Sequence, residues 1–159
     1  MDGIGDMVLF RQTLDHYSEV FKVPNSEIIV LGCNSWAAVA KDLFEDYRLM
    51  LIDEHAYARQ PFYRFKISLM VRRLNVQTTV CDSYFRRAMM ADSLVWMSAA
   101  KKSIVSLPFI NEPTRTEFTY YLSQVDIIID TGSYPTHEII RHYNFLSAIS
   151  GKDYFPEKV

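Results

Sequence analysis

No apolar run in this 159-residue chain approaches the roughly 20 residues needed to span a bilayer, so any membrane contact is expected to be peripheral. A basic excess is missing as well. Lys and Arg number 17 against 19 Asp and Glu, a formal net charge of -2, and non-specific nucleic-acid binding relies on the opposite balance; no nucleic-acid partner is expected. Cysteine is scarce. Cys33 and Cys81, the only two, each stand just past an apolar run, and with no signal peptide they read as free thiols in a reducing, cytoplasmic compartment rather than as a disulfide. There is no internal repeat, low-complexity tract or Gly/Ser linker, so the chain reads as one domain over residues 1–159. With 49% hydrophobic residues it is long enough to bury a real core.

What is present is an alternation of helical and extended patterns. Phe10, Leu14, Tyr17 and Phe21 recur at spacings of three and four and predict a helix over 7–21. Val23-Pro24-Asn25 breaks it, and 27–31 is a β-branched run of the kind found in a covered strand, closed by Gly32. Ser35 is a suitable N-cap for a helix over 36–45, followed by a strand over 48–52 that ends at Asp53. Pro61 opens a helix to Leu74. A strand over 76–80 leads to Cys81-Asp82, and 84–99 reads as helical. Strands over 103–107 and 125–129, a short helix over 117–123 and a last helix over 136–149 complete the chain. This order predicts an α/β fold, a Rossmann-like three-layer sandwich with a mostly parallel sheet and right-handed crossovers. The runs 27–31 and 125–129 are apolar enough to be buried interior strands.

Ligands in such sheets sit beyond the carboxyl ends of the strands. That rule selects Gly32 to Ser35, Asp53 to His55, Asp82 to Arg87 and Gly132 to His137, together with the turn Gly3-Ile4-Gly5-Asp6. Glycine lets a second molecule approach the main chain, and a helix that opens just after the turn points unpaired N–H groups at it. Asp6 reads either as a cap of the first helix or as a chemical group. In a doubly wound fold such a turn follows a central strand, yet only Met1 and Asp2 precede it. The first strand is therefore expected to be missing, which leaves an unpaired sheet edge that favours a homo-oligomer. Residues 152–159 read as the start of an interdomain linker.

Arg86 and Arg87, after the third strand, read either as a bidentate grip on phosphate or carboxylate groups or as solvated charge at a helix start. His137 and Glu138 open the last helix, where Glu suits the positive end. His137 and His142 are five apart and share no helix face, so no metal is expected. Pro61 to Lys66 mixes aromatics with cations and continues through Met70, Arg72 and Arg73. It has the composition of a basic surface that touches lipid, while Tyr63, Ile67, Met70, Val71 and Leu74 also make an ordinary core stripe.

The order of these pieces resembles the family 9 glycosyltransferases, which include the ADP-heptose:lipopolysaccharide heptosyltransferases. The resemblance rests on Asp2-Gly3-Ile4-Gly5-Asp6 with Met7-Val8-Leu9, on Ile28 to Gly32, on Trp36-Ala37, on Tyr84-Phe85-Arg86, where the family has Tyr-Ser-Arg, and on His137-Glu138 followed by Arg141, Asn144, Phe145 and Leu146. It implies the amino-terminal, acceptor-binding half of a GT-B enzyme. The implied parent reaction is inverting transfer of a sugar such as heptose from a nucleotide sugar to a lipopolysaccharide-core or similar surface glycan. Asp6 would be the general base, Gly3, Gly5, Arg86 and Arg87 would bind the acceptor, and His137 and Glu138 would belong to a family motif of unassigned role. No metal or other cofactor is implied. The nucleotide-sugar donor would be held by a carboxyl-terminal half that is missing, so the chain alone is expected to be inactive, and a glycolipid acceptor would place it at the inner face of the inner membrane. Phe85 stands where the family has serine, which removes one hydroxyl contact.

Two other readings stay open. Ile28 to Ser35 leading to Asp53 fits a nucleotide- or S-adenosylmethionine-binding Rossmann-like domain, although Gly32-Cys33-Asn34-Ser35-Trp36 has one glycine where such loops usually have two or three. A non-catalytic interaction module that keeps the fold is the third.

Overall fold

The structure, a computed structural model, describes residues 4–157. Its class is α/β and Rossmann-like, with parallel strands joined by helical crossovers. The chain forms two compact units. One is the continuous stretch Glu54–Asp130, and the other is built from the residues on either side of it. The strands accordingly fall into two sheets rather than the one sheet that the alternation suggests.

The first segment begins with helix α1 (Ile4–Leu14), which buries Met7, Thr13 and Leu14. The predicted helix over 7–21 is thus two helices. The chain turns at Asp15-His16 before α2 (Tyr17–Phe21), and Lys22 ends α2 in a left-handed conformation. Strand β1 (Ile29–Cys33) and strand β2 (Arg48–Ile52) pair in parallel, Ile29 beside Arg48 through Cys33 beside Ile52, with α3 (Ala37–Leu43) as the crossover. Gly32 lies inside β1 rather than closing it. A Cβ there would come within 2.2 Å of Cε3 of Trp36, so the residue must be glycine to seat that indole, which is buried and stacks on Phe44 with ring centroids 6.5 Å apart.

The continuous unit opens with α4 (Glu54–Arg59), followed by α5 (Pro61–Arg73), where Pro61 occupies the first turn in which its missing N–H costs nothing. Strand β3 (Thr78–Cys81) is next. A loop, a π-helical turn over Ala88–Asp92 and α6 (Ser93–Ser98) then replace the continuous helix expected over 84–99. Strand β4 (Lys102–Ser106), helix α7 (Arg115–Leu122) and strand β5 (Ile127–Ile129) complete it. The sheet order is β3-β4-β5, all parallel. The central strand β4 is the buried one, and Ile104 and Val105 are core. The expectation that 125–129 is a buried interior strand is corrected here. Only Ile127–Ile129 is extended, it pairs with β4 alone, and Ile127 and Ile128 are 37% and 44% exposed, because an edge strand is covered on fewer sides than a central one. The other interior strand expected, 27–31, is corrected as well: Glu27 is exposed and ends a 3-10 turn, the strand is β1 (Ile29–Cys33), and it pairs with β2 alone, although Val30, Gly32 and Cys33 are buried and Ile29 and Leu31 half-buried.

Helix α8 (Glu138–Ser150) belongs to the unit of β1 and β2 and buries Arg141, His142, Tyr143, Phe145 and Leu146. Cys33 and Cys81 are both free thiols.

Candidate functional site

The loop after β3 is fixed by one buried arginine. Arg86 donates from Nε to Asp92 Oδ2 at 2.8 Å and from Nη2 to Asp92 Oδ1 at 2.9 Å, a bidentate pair with both side chains essentially sealed from water. Its Nη1 donates to the Ser83 carbonyl at 2.6 Å and to Ser106 Oγ at 3.0 Å. Ser106 ends β4, and its own hydroxyl donates to the same Ser83 carbonyl at 2.9 Å. The expectation that Arg86 grips an acceptor is therefore corrected: its guanidinium is committed to Asp92, Ser83 and Ser106. The π-helical turn over Ala88–Asp92 ends at the residue that meets the fork of Arg86.

Arg87 is placed differently. With Met90 it lines a cavity of about 290 Å³ together with Glu54, His55, Ala58 and Arg59 from α4. Glu54 and Ala58, and His55 and Arg59, are four apart and so present one side of that helix. Among the described residues, neither the Arg59 nor the Arg87 guanidinium has a hydrogen-bonding or ion-pair partner. Two of the predicted strand-end loops, Asp53 to His55 and Asp82 to Arg87, thus contribute residues to one pocket. Two open guanidiniums, an imidazole and a carboxylate form a donor-rich lining suited to a ligand that carries phosphate or carboxylate groups beside hydroxyls.

An aromatic shelf adjoins the loop in sequence. Phe85 and Phe109 are 50% and 40% exposed, with ring centroids 5.6 Å apart, and Tyr84 meets Phe85 edge-on at 4.8 Å. The Phe109 N–H donates to the Tyr84 carbonyl at 2.9 Å, which ties the segment after β4 to the loop after β3. The shelf therefore stands at the carboxyl end of this sheet.

A larger cavity, about 410 Å³, is lined by Arg72, Trp96, Lys101, Tyr121 and Asp126 among others. It lies at the amino ends of β4 and β5, where Asp126 accepts from Ser103 N at 2.7 Å and Ser103 Oγ at 2.9 Å. Those two bonds hold the Asp126 carboxyl below its ordinary range, and burial pushes the Tyr121 phenol up. Parallel sheets bind ligands at the other end, so the smaller cavity is the better candidate.

The remaining predicted residues lie in the other unit. Gly3 falls outside the described residues. Gly5 and Asp6 are not in a turn but in the first turn of α1 itself. A Cβ at Gly5 would meet nothing within 4 Å, so no close approach requires glycine there. Asp6 is half-buried. His137 is the exposed N-cap residue of α8 and makes no side-chain cap, while Glu138 occupies the first turn. The structural weight of that motif falls on Arg141 and Asn144. Arg141, fully buried, donates to the carbonyls of Gly132 and, at 3.1 Å, Ser133, and its Nε lies 3.8 Å from Glu138 Oε2. Asn144 donates to the Thr131 carbonyl at 3.0 Å. Gly132, at φ +118°, adopts a backbone conformation that side chains disfavour.

Sequence reasoning missed Arg59 and all of α4. A six-residue helix is too short to show periodicity, and the only available signal was the spacing of Glu54, His55 and Arg59 just after a predicted strand end. No cluster of three or more His, Cys, Asp or Glu side chains that would suit a metal ion occurs among the described residues. Compared with protein-family models, with curated proteins and with solved structures, this chain matches none.

Proposed function

We propose that the continuous unit binds an anionic saccharide, as the acceptor-binding half of a glycosyltransferase that acts on a lipopolysaccharide-core or related surface glycan. The observation that carries this reading is the pair of open guanidiniums, Arg59 and Arg87, lining one cavity with His55 and Glu54. Guanidinium groups take phosphate or carboxylate bidentately, the carboxylate of Glu54 suits sugar hydroxyls, and Phe85 and Phe109 offer exposed ring faces to apolar parts of a ligand. The transferase part of the proposal rests on the resemblance to family 9. In the parent reaction an acceptor hydroxyl oxygen bonds to the anomeric carbon of the donor sugar, the bond from that carbon to the nucleotide diphosphate breaks, and the hydroxyl proton passes to a general base, the role that the resemblance alone gives to Asp6. A second Rossmann-like half would hold the donor.

The nucleotide or S-adenosylmethionine reading rests on Ile28 to Ser35 leading to Asp53, and against it the single glycine of that stretch, Gly32, is accounted for by the Trp36 ring packed on it. Calorimetric titration with a heptose-deficient lipopolysaccharide core and with S-adenosylmethionine distinguishes the two. Saccharide binding weakened about 10- to 100-fold by Arg87→Ala or Arg59→Ala is expected, the loss of one charge-assisted grip. Binding of S-adenosylmethionine, or saccharide binding indifferent to both substitutions, would overturn the assignment. For the transfer step, turnover is expected only when a separately expressed carboxyl-terminal half is added, and Asp6→Asn should then abolish it while leaving acceptor affinity unchanged.

A further inference from the structure

Helix α5 has two faces of opposite character. Ile67, Ser68 and Val71 are buried, and Arg64 turns to the same side, its Nη2 donating to the Met89 carbonyl at 2.6 Å and its guanidinium lying 4.5 Å from the centre of the Tyr57 ring. On the opposite side Phe62, Phe65, Lys66, Leu69, Met70 and Arg73 follow at spacings of three and four, one continuous stripe along about 20 Å of helix. Phe62 is 92% and Phe65 69% exposed, and Leu69 and Met70 are also open to solvent. Met70 therefore belongs to the outer stripe, not to the core stripe that the sequence pattern groups it with.

We infer that this outer face of α5 docks on an anionic lipid surface, with Phe62, Phe65, Leu69 and Met70 entering the headgroup–acyl boundary and Lys66 and Arg73 meeting lipid phosphates. Charge selects the occupant. The helix carries four cations, Arg64, Lys66, Arg72 and Arg73, and no acid, in a chain whose formal net charge is -2. Bulky apolar groups interleaved with cations on one exposed helix face suit the membrane interface. A symmetric contact with a second copy would bring the cations of both helices into one interface with no acid on either helix to offset them, and lysine is depleted at the core of protein interfaces. No described helix is long and apolar enough to cross a membrane, so the contact lies in the plane of the surface. The inference is independent of the saccharide reading.

Co-sedimentation of the full chain with vesicles of phosphatidylglycerol and phosphatidylcholine, against vesicles of phosphatidylcholine alone, tests it without any glycolipid present. Binding to the anionic vesicles only is expected. Phe62→Ser/Phe65→Ser should weaken it roughly 100-fold or more and Lys66→Glu/Arg73→Glu roughly tenfold or more, with far-ultraviolet circular dichroism unchanged since all four side chains point outward. No binding, equal binding to both vesicle types, or binding untouched by Phe62→Ser/Phe65→Ser would overturn the inference. So would self-association in sedimentation velocity that Phe62→Ser/Phe65→Ser abolishes while vesicle binding is absent, which would assign the face to a second copy instead.

Discussion

Each unit has a loop braced by a buried arginine, from within the loop at Arg86 and from helix α8 at Arg141, and the two arginines are held differently. In the continuous unit Arg86 faces a full carboxylate fork on Asp92 at 2.8 and 2.9 Å, and it also reaches one carbonyl and one hydroxyl. In the other unit Arg141 relies on the carbonyls of Gly132 and Ser133, with the Glu138 carboxylate 3.8 Å from its Nε and partly open to water. The first arrangement neutralises the buried charge locally, and the loop it fixes carries a second arginine, Arg87, to an open cavity. The second stiffens a loop around a left-handed glycine and leaves its neighbouring polar groups as backbone. The difference shows how adjacent residues of one type divide their roles: the arginine that is buried and paired builds the scaffold, and the one beside it is left for a ligand.

The comparison breaks most visibly at Arg86. Replacing it with Ala strands the Asp92 carboxylate in the core, and removal of one partner from a buried pair costs about 3–5 kcal/mol, a large part of the roughly 5–15 kcal/mol that holds a domain together. Urea unfolding should show that loss for Arg86→Ala, with much of it recovered in the paired variant Arg86→Met/Asp92→Leu, where no charge is left alone. Arg141→Ala should cost less, roughly 1.5–3 kcal/mol, because the carbonyls and Glu138 it leaves behind are neutral or reach water. A larger loss from Arg141→Ala than from Arg86→Ala would reverse the ranking of the two braces. Arg87→Ala should change stability by no more than about 0.5 kcal/mol, as a surface substitution does, so that its effect on saccharide binding reads as lost recognition and not as unfolding.

The sequence makes some of this arrangement legible and hides the rest for identifiable reasons. Arg48–Ile52 and Pro61–Arg73 are readable because a β-branched or apolar run and a proline at the first helical turn are local signals. The region 84–99 is not, because its helical periodicity is interrupted by the Arg86–Asp92 pair and by the reach of Arg86 to Ser106, twenty residues away. Val125 to Ile129 looks like core from composition, but burial of a strand depends on its place in the sheet, and β5 is at an edge. The strand-end rule picks out the loop of Arg87 correctly and still cannot divide Arg86 from Arg87, since nothing in the pair of letters says which one turns inward.

The smallest effect separates the two units by their exposed carboxylates. Asp126 is held below its ordinary range of about 3.8 by hydrogen bonds from the backbone and hydroxyl of Ser103, and Glu19 is held below 4.5 by a hydrogen bond and the charge of Lys152, 3.0 Å away. A carboxylate whose folded value lies below its unfolded one contributes stability that is fully present above the unfolded value and is lost as pH falls through the folded value. Both contributions are therefore fully present at neutral pH and above, and are lost on the acid side as pH falls below about 4. Salt tells them apart. The Glu19–Lys152 pair is open to solvent and is screened once the Debye length shrinks to about 3 Å in 1 M salt, whereas short hydrogen bonds from the buried Ser103 survive. Ser103→Ala, which removes the hydroxyl donor and keeps the backbone N–H, should flatten the acid limb of the stability curve in part, and equally at low and high salt, while Lys152→Gln should flatten it only at low salt. Equal salt sensitivity of the two variants would mean that Asp126 is held by the nearby charge of Lys102 rather than by its hydrogen bonds to Ser103.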